Sequence, residues 1–292
     1  MSWEFEQIAG PFTLTEGPAW DGEGLLFTDI DASRIMRFDP ASGDCDIFRE
    51  HTNRANGLMF DRHGRLHACE QDAGRIIRYE KNGASTVLAD SYYGARFNSP
   101  NDLAIDSDGR VWFTDPRYGD PSGLELGHMS VYRLDPGAAG AWTVERVVFN
   151  AARPNGILLS ADEDTLYVSE AGFLPGEKRE LRSYPIRDDG SLGQDSVLHN
   201  FAPHRGIDGM CLDSNGNLIA TAGEDCGGPG SMIYVFEPDG RIVETHPVPV
   251  IKPTNCTFGG PDLETLFVTS IEGLLLRTET GRQGRLNFPV SS

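Results

Sequence analysis

Asn101-Asp-Leu-Ala-Ile-Asp-Ser-Asp-Gly-Arg-Val-Trp-Phe113 reads as a polar residue, a short apolar strand, a tight Asp/Gly turn and a second β-rich strand. That is the pattern of a β-hairpin. The pattern recurs at Asn56-Gly-Leu-Met-Phe-Asp-Arg-His-Gly-Arg-Leu-His-Ala, at Asn155-Gly-Ile-Leu-Leu-Ser-Ala-Asp-Glu-Asp-Thr-Leu-Tyr-Val and at Asp208-Gly-Met-Cys-Leu-Asp-Ser-Asn-Gly-Asn-Leu-Ile-Ala. Looser copies open the series at Glu16-Gly-Pro-Ala-Trp and close it at Asn255-Cys-Thr-Phe-Gly. The lead residues lie 40, 45, 54, 53 and 47 positions apart. A third strand often follows, as in Arg34-Ile-Met-Arg-Phe, Arg75-Ile-Ile-Arg-Tyr, Ser130-Val-Tyr-Arg-Leu and Met232-Ile-Tyr-Val-Phe. Six such units imply an all-β fold, a single six-bladed β-propeller of four-stranded antiparallel blades over residues 1–292. Asp106-Ser-Asp-Gly and Asp213-Ser-Asn-Gly start like calcium loops, but their Gly comes at the fourth position, between two strands, so they read as hairpin turns. Residues Trp3–Ile8 are expected to lend a strand to the last blade, beside Gly273–Arg277 and Arg285–Phe288, which closes the ring.

Composition agrees with many short strands: of 292 residues, 34 are Gly, 18 are Pro and 39% are hydrophobic. The formal charge of −19 argues against nucleic acid and against an anionic membrane surface. No apolar run is long enough to span a bilayer, and Met1-Ser-Trp-Glu-Phe-Glu has none of the regions of a signal peptide, so the chain reads as cytoplasmic. Five cysteines without a C-x-x-C pair argue against a disulfide framework or thiolate zinc. The sequence leaves monomer and dimer equally open.

In a propeller, the residue ahead of the innermost strand of each blade lands on a ring at one mouth of the central channel. Here that ring comprises Glu16, Asn56, Asn101, Asn155, Asp208 and Asn255. Two carboxylates and four carboxamides form an all-oxygen set, suited to one hard divalent cation. Asn and Asp also favour turns, which is the competing explanation at any one position. Two carboxylates facing each other across a narrow channel would, however, repel unless neutralised. No G-x-S-x-G, H-E-x-x-H, P-loop or G-x-G-x-x-G motif competes. His204, four residues before Asp208, is either a surface residue or a substrate contact at the same mouth. Trp20, Tyr92, Tyr93, Phe97, Tyr118 and Phe173 are candidates for shaping the mouth, against packing between blades. The Leu124–Met129 and Phe173–Glu180 loops depart from the repeat and are expected to govern specificity.

At Leu14-Thr-Glu-Gly-Pro-Ala-Trp, Asn98-Ser-Pro-Asn-Asp-Leu, Trp112-Phe-Thr-Asp-Pro, Pro154-Asn-Gly-Ile and Ile207-Asp-Gly-Met the chain resembles the SMP-30/gluconolactonase/regucalcin-like family, which includes diisopropyl-fluorophosphatase. The resemblance covers nearly the whole chain and is nearest to bacterial gluconolactonases. It implies a metal-dependent hydrolase that opens a small, sugar-derived lactone. It implies Glu16, Asn155 and Asp208 as metal ligands, with Asn101 completing or bordering the site and Asp208 as catalytic base or nucleophile. The cation it implies is Ca²⁺ first, with Zn²⁺, Mn²⁺ or Mg²⁺ as alternatives. Regucalcin-like members place an Arg and an Asn against substrate. Here that motif is split, so either Asn98 or Asn101 fills the Asn role and Arg96 is either a substrate contact or a surface charge, while Asn56 and Asn255 stand as pocket wall. A phosphotriesterase-like hydrolase with the same metal and a non-catalytic calcium-binding propeller are the competing readings.

Overall fold

The computed structural model describes residues 3–118 and 122–288. Among these residues, apart from a lone two-stranded ribbon, every sheet has at least four strands, and there are six such sheets, as the hairpin repeat implies. Each begins with one copy of the repeat, in the strands Thr15–Trp20, Ala55–Phe60, Leu103–Ile105, Pro154–Leu159, Ile207–Asp213 and Pro253–Gly259. These six first strands touch one another in cyclic order, the last against the first, and so line the axis of a closed six-bladed β-propeller. Asp106 and Asp213 do turn hairpins: each backbone N–H reaches the carbonyl four residues on, with Gly109 and Gly216 at positive φ.

The core is divided among the interfaces between blades. One apolar cluster fills each, as where Ala104, Trp112 and Val131 of the third blade meet Ile157, Leu166 and Val168 of the fourth. Blades six and one meet through Phe267 and Leu275 against Trp20, Leu25 and Phe27. Strands buried on both faces read as apolar runs, as Leu-Leu-Phe and Val-Trp-Phe do here.

Ring closure follows the expected route at one end of the chain and departs from it at the other. Glu6–Ala9 pairs antiparallel with Leu275–Glu279 and becomes the outermost strand of the sixth blade. Trp3 anchors it from outside by stacking on His246 with ring centroids 3.9 Å apart. Arg285–Phe288 does not join that blade. Gly284 and Arg285 pair instead with Asp213 and Leu212 on the inner strand of the fifth blade. The tail then crosses the lower mouth of the channel, where Asn287 Nδ2 donates to the Ile105 carbonyl and Phe288 meets Phe60. The physical reason is that the N-terminal strand already occupies the free edge of the last blade, so the apolar tail buries itself across the channel base.

Candidate active site

The sequence places the ring residues at closely similar structural positions. Glu16, Asn56, Asn155 and Asp208 are each the second residue of an inner strand, and Asn255 is the third of its own. Asn101 stands just ahead of the inner strand of the third blade. In the other five blades the pairing register slips at or just after the ring residue. Such a bulge frees a side chain from the ladder and turns it towards the axis. Four of these bulges carry Gly17, Gly57, Gly156 and Gly209, and the spacing shows why: a Cβ on Gly156 would lie 2.2 Å from the Asp208 carbonyl oxygen. Hydroxyls of the second strands, and at the closing seam one of an inner strand, hold neighbouring blades in register. Thr28 donates to the Asn56 carbonyl at 3.1 Å and Thr114 to that of Asn155 at 2.6 Å. Thr221 reaches the Thr254 carbonyl at 2.8 Å, and Thr254 reaches that of Thr15 at 2.7 Å, across the seam where the ring closes.

Glu16, Asn56, Asn101, Asn155 and Asp208 converge on the floor of one cavity of about 470 Å³. That volume suits a small organic ligand. Asn255, the sixth ring member, turns below the floor: its Nδ2 donates to Glu16 Oε2 at 3.1 Å and lies 3.5 Å from Asp102 Oδ2. Asn155 Nδ2 donates to the Tyr118 hydroxyl at 2.7 Å, and Tyr118 and Phe173 form an aromatic wall.

The other sequence-derived candidates lie elsewhere. Asn98 is buried away from the cavity, its amide donating to the Asp115 carbonyl at 3.2 Å and the His128 carbonyl at 2.9 Å. Arg96 spreads over the carbonyls of Phe97, Gln71 and Asp72 and does not line the cavity. His204 is exposed and packs beside Gly228. Of the aromatics, Phe97 is core, Tyr92 packs on Tyr132, Tyr93 is 94% exposed and Trp20 lines the lower channel. Phe173 brings its loop to the cavity, whereas the Leu124–Met129 loop tucks Leu126 into the core.

Two charged residues carried no clear mark in the sequence. Asp102 stands where four other blades have Gly, so its carboxylate enters the channel beneath the ring. That departure from the repeat was its only sequence signal. Arg205 donates to the carbonyls of Gly223 at 2.7 Å and Pro253 at 3.1 Å, and forms an ion pair with Asp208 Oδ2. Below them lies a second cavity of about 120 Å³, lined mostly by apolar residues such as Leu58, Leu103 and Met210 and covered by the tail.

Burial raises the Glu16 carboxyl well above its usual range, and the negative charges of Asp208 and Asp102 add to this. Burial pushes Asp102 up to about 7. It also raises Asp208, against the opposing charge of Arg205. Among the described residues no three His, Cys, Asp or Glu side chains form a metal-binding group by themselves. A cation at this floor would therefore have to take amide oxygens as well as carboxylates, a donor set that fits a hard divalent ion. Bringing Glu16, Asp102 and Asp208 together costs energy that such an ion would relieve.

Carboxyls whose folded pKa exceeds the unfolded value favour the fold while protonated, and that advantage is lost as pH rises from about 4 towards 7. The metal-free protein is therefore expected to lose thermal stability across this window, and any melting shift given by added Ca²⁺ to grow from pH 5 to pH 8. Cation binding near pH 6 should release protons, detectable by calorimetry in buffers of different ionisation enthalpy. A cation-induced shift that is the same at both pH values would refute this linkage.

Fold and floor together define a six-bladed β-propeller with a cavity on its axis floored by carboxylate and amide groups. The chain belongs to the family described as SMP-30/Gluconolactonase/LRE-like region, which it matches over residues 14–272. It is 31% identical to a gluconolactonase of Zymomonas mobilis, covering 96% of this chain and 83% of that one. It is 32% identical to the pentonolactonase XacC of Haloferax volcanii, covering 89% and 82%. A gluconolactonase structure from Xanthomonas campestris superposes with a TM-score of 0.82 at 32% identity, covering 95% of this chain and 89% of the other.

Proposed function

We propose that this protein, a lactone-hydrolysing enzyme of its family, opens a small sugar-derived lactone to the hydroxy acid with one divalent cation held by Glu16, Asn155, Asp208 and Asn101. The observation that carries the reading is the convergence of the buried Glu16 carboxylate, the half-buried Asp208 carboxylate and amide oxygen donors on the floor of a cavity of lactone size. A cation held by these residues would supply Lewis acidity at the lactone carbonyl. Ca²⁺ is our first choice, since oxygen donors alone surround the floor.

The chain's own groups do the rest. Tyr118 and Phe173 shelter one side of the substrate and exclude water from it. Asp208 accepts a proton from the water that attacks the carbonyl carbon. Arg205 pairs with Oδ2 of Asp208 and favours the charged, proton-accepting form of the carboxylate. The ring C–O bond then breaks, and the proton passes from Asp208 to the leaving alkoxide.

The test follows proton release from D-glucono-1,5-lactone by native and chelator-treated protein, with Ca²⁺, Mn²⁺, Zn²⁺ or Mg²⁺ added back. Activity should vanish with chelator and return with one cation. A rate unmoved by chelator removes the metal from the mechanism. Failure to accelerate any sugar lactone with every cation present removes the substrate assignment.

A further inference from the structure

The upper cavity carries more cationic than anionic side chains on its lining, in a protein that is acidic overall. The chain carries a formal charge of −19, yet four cationic side chains line the cavity: Arg54, Arg179, Arg205 and Lys252. Against them stand Glu16 and Asp208 on the floor and a single carboxylate, Glu224, on the walls. In the proposed function a divalent cation answers the two floor charges, so it is the wall that sets the field met by the outer part of a substrate.

The wall charges are unequally compensated. Lys252 pairs with Glu224 at 3.0 Å. Arg54 pairs with Asp31 at 2.7 Å and more loosely with Asp72 at 3.6 Å, both well exposed and neither lining the cavity. Exposed pairs of this kind contribute little and exchange partners readily. Arg179 is different: its guanidinium donates to the carbonyls of Phe173, at 3.0 Å, and Pro203, so its positive charge meets no carboxylate there among the described residues. Arg205 is spread over two carbonyls and Asp208. Arginines fixed on carbonyls beside a cavity are pre-organised donors for an oxyanion, because their positions need no reordering when a ligand arrives. A neutral sugar lactone would leave this arrangement unused.

We infer that the preferred substrate is an anionic lactone, a sugar-derived ring carrying a carboxylate or phosphate remote from the reacting carbonyl, with Arg179 and Lys252 receiving the remote charge. The inference deepens the proposed function by naming the substrate class of the same site, and it rests on that reading. The shared ligand chemistry is an oxyanion, and separate arms of the test distinguish its two forms.

The binding arm titrates Ca²⁺-loaded protein calorimetrically with D-gluconate and D-glucarate, which differ by the second carboxylate. Glucarate should bind about tenfold more tightly at low salt, with the ratio shrinking as salt rises. The kinetic arm compares kcat/KM for D-glucono-1,5-lactone and its 6-phosphate, and a similar preference for the phosphate is expected. Arg179→Gln should reduce both ratios. Lys252→Gln, which leaves the carbonyl contacts of Arg179 intact, gives a second measure should the first variant fold poorly. Equal affinities for the two sugar acids together with equal kcat/KM for the two lactones overturn the inference while leaving the lactonase reading in place. Tighter glucarate binding with no hydrolysis of either lactone does the reverse: the anion preference stands and the lactonase reading falls.

Discussion

Asp208→Asn should lower kcat for lactone hydrolysis by about a thousandfold, the range lost when a positioned general base is removed. The substitution keeps the size of the side chain and an oxygen that can face a cation or Arg205, but removes the group that takes the proton. Glu16→Gln is the informative comparison. Glu16 is buried, accepts hydrogen bonds from its neighbour Gly17 at 2.6 Å and from Asn255 at 3.1 Å, and has no assigned role in proton transfer. Its replacement should weaken cation binding and recover much of the rate at saturating cation, whereas Asp208→Asn should stay inactive under the same conditions. Recovery of kcat by the Asp208 variant at high Ca²⁺ would show that this residue holds the cation and that the base lies elsewhere.

Deleting residues 1–9 should lower the melting temperature by about 10 °C or more, from loss of a buried aromatic residue and an edge strand. Trp3 is only 9% exposed, and its backbone N–H donates to His246 Nδ1 at 3.2 Å. Burial lowers the pKa of His246, so the ring stays neutral, with Nε2 free to donate to Glu244 at 2.9 Å. Arg282 extends this chain by pairing with both Glu244 and Asp213. The N-terminal segment thus ties the fifth blade to the sixth, and its removal also bares the edge of Leu275–Glu279. Trp3→Ala should reproduce part of the loss, since the strand pairing survives. A truncated protein that melts within 2–3 °C of the full chain, on the order of 1 kcal/mol, would mean that the ring closes without this strand.

Much of the site is legible in the sequence because the propeller repeats a single instruction. A polar residue followed by Gly and an apolar strand marks the same inner position in successive blades, and rotational symmetry turns that register into a ring. Glu16, Asn56, Asn101, Asn155 and Asp208 accordingly meet at one floor. The residues that do not meet there are held away for a local reason. Asn98 and Arg96 lie in the segment leading to the third blade, where main-chain partners are nearer than the cavity. The Asn98 amide is spent on two carbonyls and Arg96 on three. Side chains with several hydrogen-bonding atoms settle on whatever unsatisfied groups surround them, and linear spacing does not reveal those groups.

By itself the sequence determined the number of blades, the hairpin turns and the ring of inward polar residues. All three depend on local periodicity and on one register repeated along the chain. Tertiary structure decided which terminal segment closes the last blade and which crosses the channel, since that depends on which edge is still free. It also decided that Asn255 turns below the floor, that Asp102 enters beneath the ring and that Arg205 reaches Asp208. Asn255 is placed by contacts between blades far apart in the chain, and Asp102 and Arg205 by burial and charge acting through space. Of the three, only Asp102 leaves a trace in the repeat, as an Asp where four blades have Gly.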